Sequence, residues 1–187
     1  MEALRKDTYY TYADYASWDT DDRYELIDGI PYLMSPAPAT KHQKISSELH
    51  GQLYSLLKGK PCEVFAAPFD VRLNAAGDND DTVVQPDIVV VCDKSKLDEK
   101  GCNGAPDMVV EILSPTTAGH DRILKFKQYL KAGVREYWIV DPENKDIMVH
   151  ILENGKYVTY VYSEQDTIPV YILDGCAVDL KEVFGVE

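Results

Sequence analysis

The clearest pattern in the sequence is an apolar run carrying a single acid, Gln85-Pro86-Asp87-Ile88-Val89-Val90-Val91. A second run of the same kind follows it, Met108-Val109-Val110-Glu111-Ile112-Leu113-Ser114. The length and apolar character of both runs are typical of buried strands. An isolated carboxylate in such a strand is costly unless it is paired or binds a metal. Two such acids on neighbouring strands therefore predict a site for a divalent cation.

Side-chain alternation along a strand places Glu111 on the same face as Val109 and Leu113. Asp87 stands at the start of its strand, directly after a proline. If the two strands are neighbours, a spacing of about 4.8 Å brings both carboxylates within reach of one ion. Mg²⁺ prefers oxygen ligands, and the backbone carbonyl of Ile112 can supply a third oxygen.

Metal-assisted hydrolysis of a phosphodiester also needs a positive group close to the developing charge. Leu113 shares the face of Glu111 and cannot serve, so the next source is Lys125 on the following predicted helix. Lys125 can equally form a surface pair with Asp121, four residues earlier. Glu25, in an apolar segment before a turn, can bind a second ion or orient a water, or it can be a solvated strand residue.

The remaining candidate residues have structural interpretations. Asp107 also follows a proline, but it lies four residues before Glu111, about 13 Å along the strand, and is interpreted as a strand-start or turn residue. His42 and His120 begin two predicted helices, where isolated histidines are usually surface or capping residues. The four cysteines contain no C-x-x-C pair, which argues against a zinc site. Three of them lie in apolar segments and are interpreted as small core residues: Cys62, Cys92 and Cys176.

Hydrophobic periodicity predicts helices over about residues 11–18, 40–58 and 117–132, the last one capped by Thr116 or Thr117. Ile123, Phe126 and Leu130 form the expected core face of that last helix. Strands are predicted around them, including a hairpin whose turn is Asp28-Gly29. Strands on both sides of two long helices indicate an α/β (α+β) fold with a mixed central sheet flanked by helices.

Composition limits the class of protein. A chain of 187 residues is long enough for one domain spanning residues 1–187 with its own core. No apolar stretch approaches the roughly 18 residues of a membrane helix, and the N-terminus lacks the apolar core of a signal peptide, so we expect a cytoplasmic protein without a membrane partner. A net charge of −13 argues against a broad surface for polyanions. Five bases against one acid in residues 115–135 leave a local basic strip, compatible with a phosphate substrate or with a solvated helix face.

An ordered set of motifs resembles a known family. The set is Tyr24-Glu25-Leu26-Ile27-Asp28-Gly29, Met34-Ser35-Pro36 with His42 beyond it, Gln85-Pro86-Asp87, Val110-Glu111-Ile112-Leu113-Ser114-Pro115, Asp121…Lys125…Tyr129, and Gly133-Val134-Arg135-Glu136-Tyr137-Trp138-Ile139-Val140-Asp141-Pro142. Over about residues 10–180 the chain resembles the Uma2 family of restriction endonuclease-like proteins, within the PD-(D/E)XK nuclease superfamily.

The resemblance implies a restriction-endonuclease-like fold with the site at one edge of the sheet. It implies that Asp87 and Glu111 are metal ligands and that Glu25 matches the acidic residue of the first motif. Leu113 stands where the superfamily pattern has its lysine, and Lys125 matches a lysine that has moved to the following helix.

The implied activity is that of a metal-dependent DNA endonuclease. Mg²⁺ or Mn²⁺ on Asp87 and Glu111 would polarise the phosphate and lower the pKa of the attacking water, and Lys125 would position that water or stabilise charge. A homodimer is expected, because two-fold dimers are the commonest soluble assembly. Two alternatives stay open: a catalytically inactive nuclease-fold binding or assembly module, favoured by the net charge and the displaced lysine, and a metal-dependent enzyme acting on a small phosphate ester.

Overall fold

The computed structural model describes residues 7–34, 37–114 and 120–185, with the side chains of its third helix described from residue 123 onward. The helices in these residues are α1 (Tyr12–Tyr15), α2 (Thr40–Leu57), α3 (His120–Ala132) and α4 (Leu180–Phe184). The long predicted helix over residues 40–58 is confirmed as α2. The proposed caps Thr116 and Thr117 lie outside the described residues. Over the described part of the chain, none of the helices is long and apolar enough to cross a membrane.

The centre of the fold is a six-stranded mixed sheet, here called the central sheet, with the order β12-β11-β10-β9-β6-β3. Its strands are β3 (Glu63–Ala66), β6 (Ile88–Val91), β9 (Met108–Ile112), β10 (Glu136–Asp141), β11 (Asp146–Glu153) and β12 (Lys156–Ser163). Strands β9 and β10 run parallel, and the other neighbouring pairs are antiparallel.

A second six-stranded sheet has the order β2-β1-β5-β4-β8-β7, and a short ribbon follows it near the C-terminus. The strands of the second sheet are β1 (Tyr24–Ile27), β2 (Ile30–Leu33), β4 (Val71–Arg72), β5 (Val83–Val84), β7 (Leu97–Asp98) and β8 (Gly101–Asn103), and those of the ribbon are β13 (Thr167–Pro169) and β14 (Ala177–Asp179). The predicted hairpin joins β1 to β2. Asp28 and Gly29 adopt φ of 49° and 75°, as a tight turn with two left-handed residues requires.

The two faces of the central sheet have different neighbours. Alternate residues such as Ile88, Val90 and Val110 pack with the buried side of α2 in one cluster. The intervening residues, among them Val89 and Val109, pack with side chains from α3 and from the second sheet in another. The central sheet therefore lies between α2 on one face and α3 with the second sheet on the other, and the predicted fold class, a mixed sheet flanked by helices, is confirmed.

The structure corrects two details of the predicted elements. The predicted strand over residues 83–91 divides into β5 of the second sheet and β6 of the central sheet, with Pro86, which has no backbone N–H to donate, between them. The predicted core face of α3 is wrong at Ile123, whose side chain is 61% exposed, whereas Lys125 and Tyr129 are buried. Polar side chains can occupy the buried face of α3 because they bind polar partners in the interior of the fold.

Two of the cysteines differ from the prediction that they are separate core residues. Cys62 and Cys176 are buried, as expected of core residues. However, a disulfide joins Cys62 to Cys92 beside the paired ends of β3 and β6, so these two are not isolated thiols. Cys102 and Cys176 are free and buried.

Candidate functional site

The two acid-bearing strands are neighbours. Strands β6 and β9 pair antiparallel with Ile88 opposite Val110, and the same register continued by one residue sets Asp87 opposite Glu111. Directly opposed side chains in such a pair have Cβ atoms about 5 Å apart. One oxygen of Asp87, Oδ2, accepts a hydrogen bond from the backbone N–H of Ile112 at 2.8 Å. The structure therefore brings the two predicted acids together at one end of the pair.

Lys125 reaches these acids from α3. Its Nζ lies 3.0 Å from Oε1 of Glu111 and 2.8 Å from Oε1 of Glu25. The side chain of Lys125 is 11% exposed and that of Glu25 is 9% exposed. The alternatives of a surface lysine and a solvated Glu25 are therefore both wrong: each is a buried residue of one ion-pair network.

Two further groups orient the buried carboxylates. Tyr129, one helical turn after Lys125, donates its hydroxyl to Oε1 of Glu111 at 2.7 Å. The backbone N–H of Gln85 donates to Oε1 of Glu25 at 2.9 Å. Gln85 belongs to the motif that also contains Asp87. One short segment therefore supplies Asp87 and hydrogen-bonds Glu25 of the second sheet.

The electrostatics show an excess of negative charge. Burial raises the pKa of Glu111 to about 7, with the charges of Asp87 and Glu25 adding to the rise and Lys125 opposing it. Burial alone would lower the pKa of Lys125, but Glu111 and Glu25 outweigh it and raise that pKa above its usual value. Lys125 pairs with Glu25 and Glu111, and the nearby Asp87 adds a third carboxylate, so a cation or a proton in the site relieves the excess of negative charge.

His42 is the residue of the site that sequence reasoning missed. It lies in the first turn of α2, only 9% exposed, with Nε2 3.3 Å from Oδ2 of Asp87 and 3.2 Å from the carbonyl oxygen of Ile112. Its Nδ1 is buried and has no hydrogen-bond partner among the described residues. Burial lowers the pKa of His42, but the hydrogen bond and charge of Asp87 outweigh it, and the net shift is upward. The interpretation as a surface or capping residue is wrong. The one available signal was its position in the motif order, beyond Met34-Ser35-Pro36.

The oxygen groups fit a hard divalent cation. Asp87 and Glu111 supply carboxylates and Ile112 a carbonyl, a set of the kind that Mg²⁺ uses together with water and substrate phosphate. Among the residues that the structure describes, no group of three His, Cys, Asp or Glu side chains is arranged as a metal centre. A cation here would therefore depend on the carbonyl of Ile112 as well as on side chains.

Other candidates lie outside the site. Asp107 accepts a hydrogen bond from the backbone N–H of Cys92 at 2.7 Å and pairs with Arg135 at 3.1 Å, in agreement with a strand-start role. The predicted basic strip is not a continuous surface, since Lys125 is buried and Lys131 lies 3.6 Å from Asp28.

Comparisons with known proteins agree with this architecture. An uncharacterized protein of Synechocystis sp. is 26% identical over 159 residues, which cover 83% of this chain and 81% of that protein. The crystal structure of a "putative nuclease belonging to DUF820" from Anabaena variabilis matches with a TM-score of 0.74, covering 94% of this chain and 97% of the other. At 24% identity this second likeness shows the fold alone. The profile of the Uma2 family, described as "Putative restriction endonuclease", matches residues 12–180, and the chain therefore belongs to the Uma2 family.

Proposed function

We propose that this protein is a divalent-metal-dependent endonuclease that hydrolyses phosphodiester bonds of DNA. The observation that carries the proposal is the convergence of Asp87, Glu111 and Lys125, from two strands and a helix, at one end of the central sheet. Membership of a family described as "Putative restriction endonuclease" supports the choice of a nucleic-acid substrate.

The proposed metal site consists of the carboxylates of Asp87 and Glu111 and the carbonyl of Ile112, which would hold Mg²⁺ or Mn²⁺. When bound, such an ion supplies Lewis acidity at the phosphate and lowers the pKa of an attacking water. The backbone N–H of Ile112 holds one oxygen of Asp87 at a fixed place on the strand. This preorganisation reduces the rearrangement that binding requires.

Lys125 supplies the positive group of the proposed reaction. Its ammonium lies between Glu25 and Glu111, so both carboxylates hold it beside the proposed metal ligands. From this place it can position a water or stabilise negative charge that develops on the phosphate. Glu25 is proposed to orient the ammonium and an ordered water, and Tyr129 to fix the rotamer of Glu111 through its hydroxyl.

The experiment is a cleavage assay with plasmid, linear duplex, single-stranded and branched DNA in Mg²⁺ or Mn²⁺. We expect cleavage by the wild type and a loss of at least a hundredfold in Asp87→Asn and Lys125→Gln. Two matched variants serve as controls: Asp107→Asn, the other Pro-Asp, and Lys127→Gln, an exposed lysine of the same helix.

Cleavage of no DNA by the metal-loaded wild type, or equal losses in the control variants, would contradict the proposal. Turnover of a small phosphodiester such as bis(p-nitrophenyl) phosphate without cleavage of DNA would retain the metal chemistry but overturn the substrate.

A second candidate is a nuclease-fold module that binds without catalysis. The net charge of −13 and the lack of a three-side-chain metal cluster among the described residues favour it. Calorimetry with Mn²⁺ separates the candidates: the endonuclease predicts binding heat that Asp87→Ala abolishes, whereas the inactive module predicts none in either protein.

A further inference from the structure

We propose that His42 is a direct ligand of the cation in this site and that it shifts the preference of the site from Mg²⁺ toward Mn²⁺ and other transition-metal ions. This inference rests on the proposed function, since it assumes a cation held by Asp87 and Ile112. It adds a ligand that the two acid-bearing strands do not contain.

His42 lies beside the groups that are proposed to hold the ion. Nε2 of His42 lies within hydrogen-bond distance of two of the three groups proposed to hold the ion, Oδ2 of Asp87 and the carbonyl oxygen of Ile112. His42 belongs to α2, which packs on the face of the central sheet opposite α3. The imidazole of His42 and the ammonium of Lys125 thus approach the paired ends of β6 and β9 from opposite sides.

The spacing of these atoms suits ligands that share one cation. In a six-coordinate ion with bonds of about 2.1 Å, adjacent ligand atoms lie about 3 Å apart. The separations from Nε2 to Asp87 and to Ile112 are 3.3 Å and 3.2 Å. Three electronegative atoms at such spacings can share one cation with only small movements. Among the described residues Nδ1 has no hydrogen-bond partner, so these two oxygens are the polar groups that position the ring.

An imidazole ligand discriminates between the two ions. Carboxylate and carbonyl oxygens suit both Mg²⁺ and Mn²⁺, but an imidazole nitrogen is a poor ligand for Mg²⁺ and an acceptable one for a transition-metal ion. Replacing one water of an oxygen-coordinated ion by Nε2 of His42 therefore raises affinity for Mn²⁺ more than for Mg²⁺. A histidine that only donates a hydrogen bond to Asp87 would produce no such selectivity.

The test combines calorimetry with pulsed electron paramagnetic resonance of bound Mn²⁺, which detects a directly coordinated nitrogen. His42→Ala removes the imidazole, and His42→Gln keeps a polar side chain if the alanine variant folds poorly. His50→Ala is the matched control, because His50 lies on the same helix and stacks with Tyr54 away from the proposed ligands. Asp87→Asn reports on the cation site itself.

We expect a nitrogen coupling in the wild type and in His50→Ala, and its loss in both His42 variants. Affinity for Mn²⁺ should fall at least tenfold in the His42 variants, and affinity for Mg²⁺ by less. Mn²⁺ binding that Asp87→Asn abolishes, but that shows no nitrogen coupling or is unchanged by the His42 variants, overturns the role of His42 and leaves the proposed function intact. No Mn²⁺ binding by the wild type overturns both.

Discussion

Among the individual residues of the site, negative charges outnumber positive charges. Glu25, Asp87 and Glu111 contribute three negative charges and Lys125 one positive charge, and even a protonated His42 leaves an excess carboxylate. Buried charges that are not compensated are costly. When no cation is bound, burial and the neighbouring carboxylates raise the pKa of Glu111, so that a proton can neutralise the excess charge.

Removing the lysine should destabilise the fold. Lys125→Met leaves Glu25 and Glu111 buried without a counter-charge, and breaking such a pair costs about 3–5 kcal/mol. The free energy of unfolding, measured by urea denaturation at pH 8, should fall by about that amount. Lys127→Met, at an exposed position of the same helix, should change it by less than about 0.5 kcal/mol. Similar losses in both variants would show that Lys125 does not stabilise buried acids.

The stability of the metal-free protein should depend on the titration of Glu111. Its pKa rises from 4.5 to about 7 on folding, so between these values the folded state keeps a proton that the unfolded state has lost. The contribution of Glu111 to stability is therefore present at low pH and is lost as the pH rises through this window. Glu111→Gln should gain stability relative to the wild type across the window, by at most about 3 kcal/mol.

The measurement is urea denaturation in EDTA from pH 4 to pH 8. Glu153→Gln, which removes an exposed carboxylate of β11, is the matched control. A difference between Glu111→Gln and the wild type that does not change with pH would contradict the raised pKa.

Asp87 and Glu111 could be predicted from the sequence because an acid in an apolar strand stands out without any tertiary information. Lys125 required the family resemblance, since spacing alone allows a surface pair. The role of His42 could not be predicted from spacing, because helical periodicity does not show that a ring reaches a neighbouring strand; its place in the motif order was the one signal.

At the scale of elements, α3 departs from simple amphipathicity. Its buried face carries Lys125, Gln128 and Tyr129, whereas Ile123 is exposed. Gln128 donates to Asp28 at 2.6 Å, and Tyr129 donates to Glu111. Hydrophobic periodicity assigns polar residues to solvent, so it misplaces Ile123 and misses Lys125 and Gln128, although Phe126 of the predicted face does pack against the core. Helix α2, which buries Ile45, Leu49 and Leu53, follows the usual pattern and was predictable.

Alanine substitutions on the two helices should show this contrast. Leu49→Ala on α2 removes a fully buried side chain and should cost about 2–5 kcal/mol of unfolding free energy. Ile123→Ala on α3 removes an exposed side chain and should cost less than about 0.5 kcal/mol. Thermal and urea denaturation of the two variants measure these losses. A large loss of unfolding free energy in Ile123→Ala would instead support the core face predicted from periodicity.

At the scale of the whole molecule, the fold class could be predicted because strand and helix patterns alternate clearly, but the division into two sheets could not. The predicted strand over residues 83–91 belongs to both sheets, and local sequence does not specify which neighbour a strand pairs with. The expectations of one domain and of a homodimer stay predictions.

The net charge of −13 has a consequence for substrate binding. Without a cation, the acids of the site and of the surface repel a DNA backbone, and the bases Lys131 and Arg135 are paired with acids. We expect the affinity for a duplex, measured by fluorescence anisotropy, to rise at least tenfold when Ca²⁺ replaces EDTA. Tight binding in EDTA with a steep dependence on salt would instead indicate a basic binding surface.

An anomalous-scattering crystal structure of the protein soaked with Mn²⁺ would show whether the proposed site binds a metal. We expect one strong peak between the carboxylates of Asp87 and Glu111, within bonding distance of the carbonyl oxygen of Ile112. A protein that shows no peak there at saturating Mn²⁺, or binds the ion only elsewhere, would contradict the claim that these strands form a metal-dependent hydrolytic site.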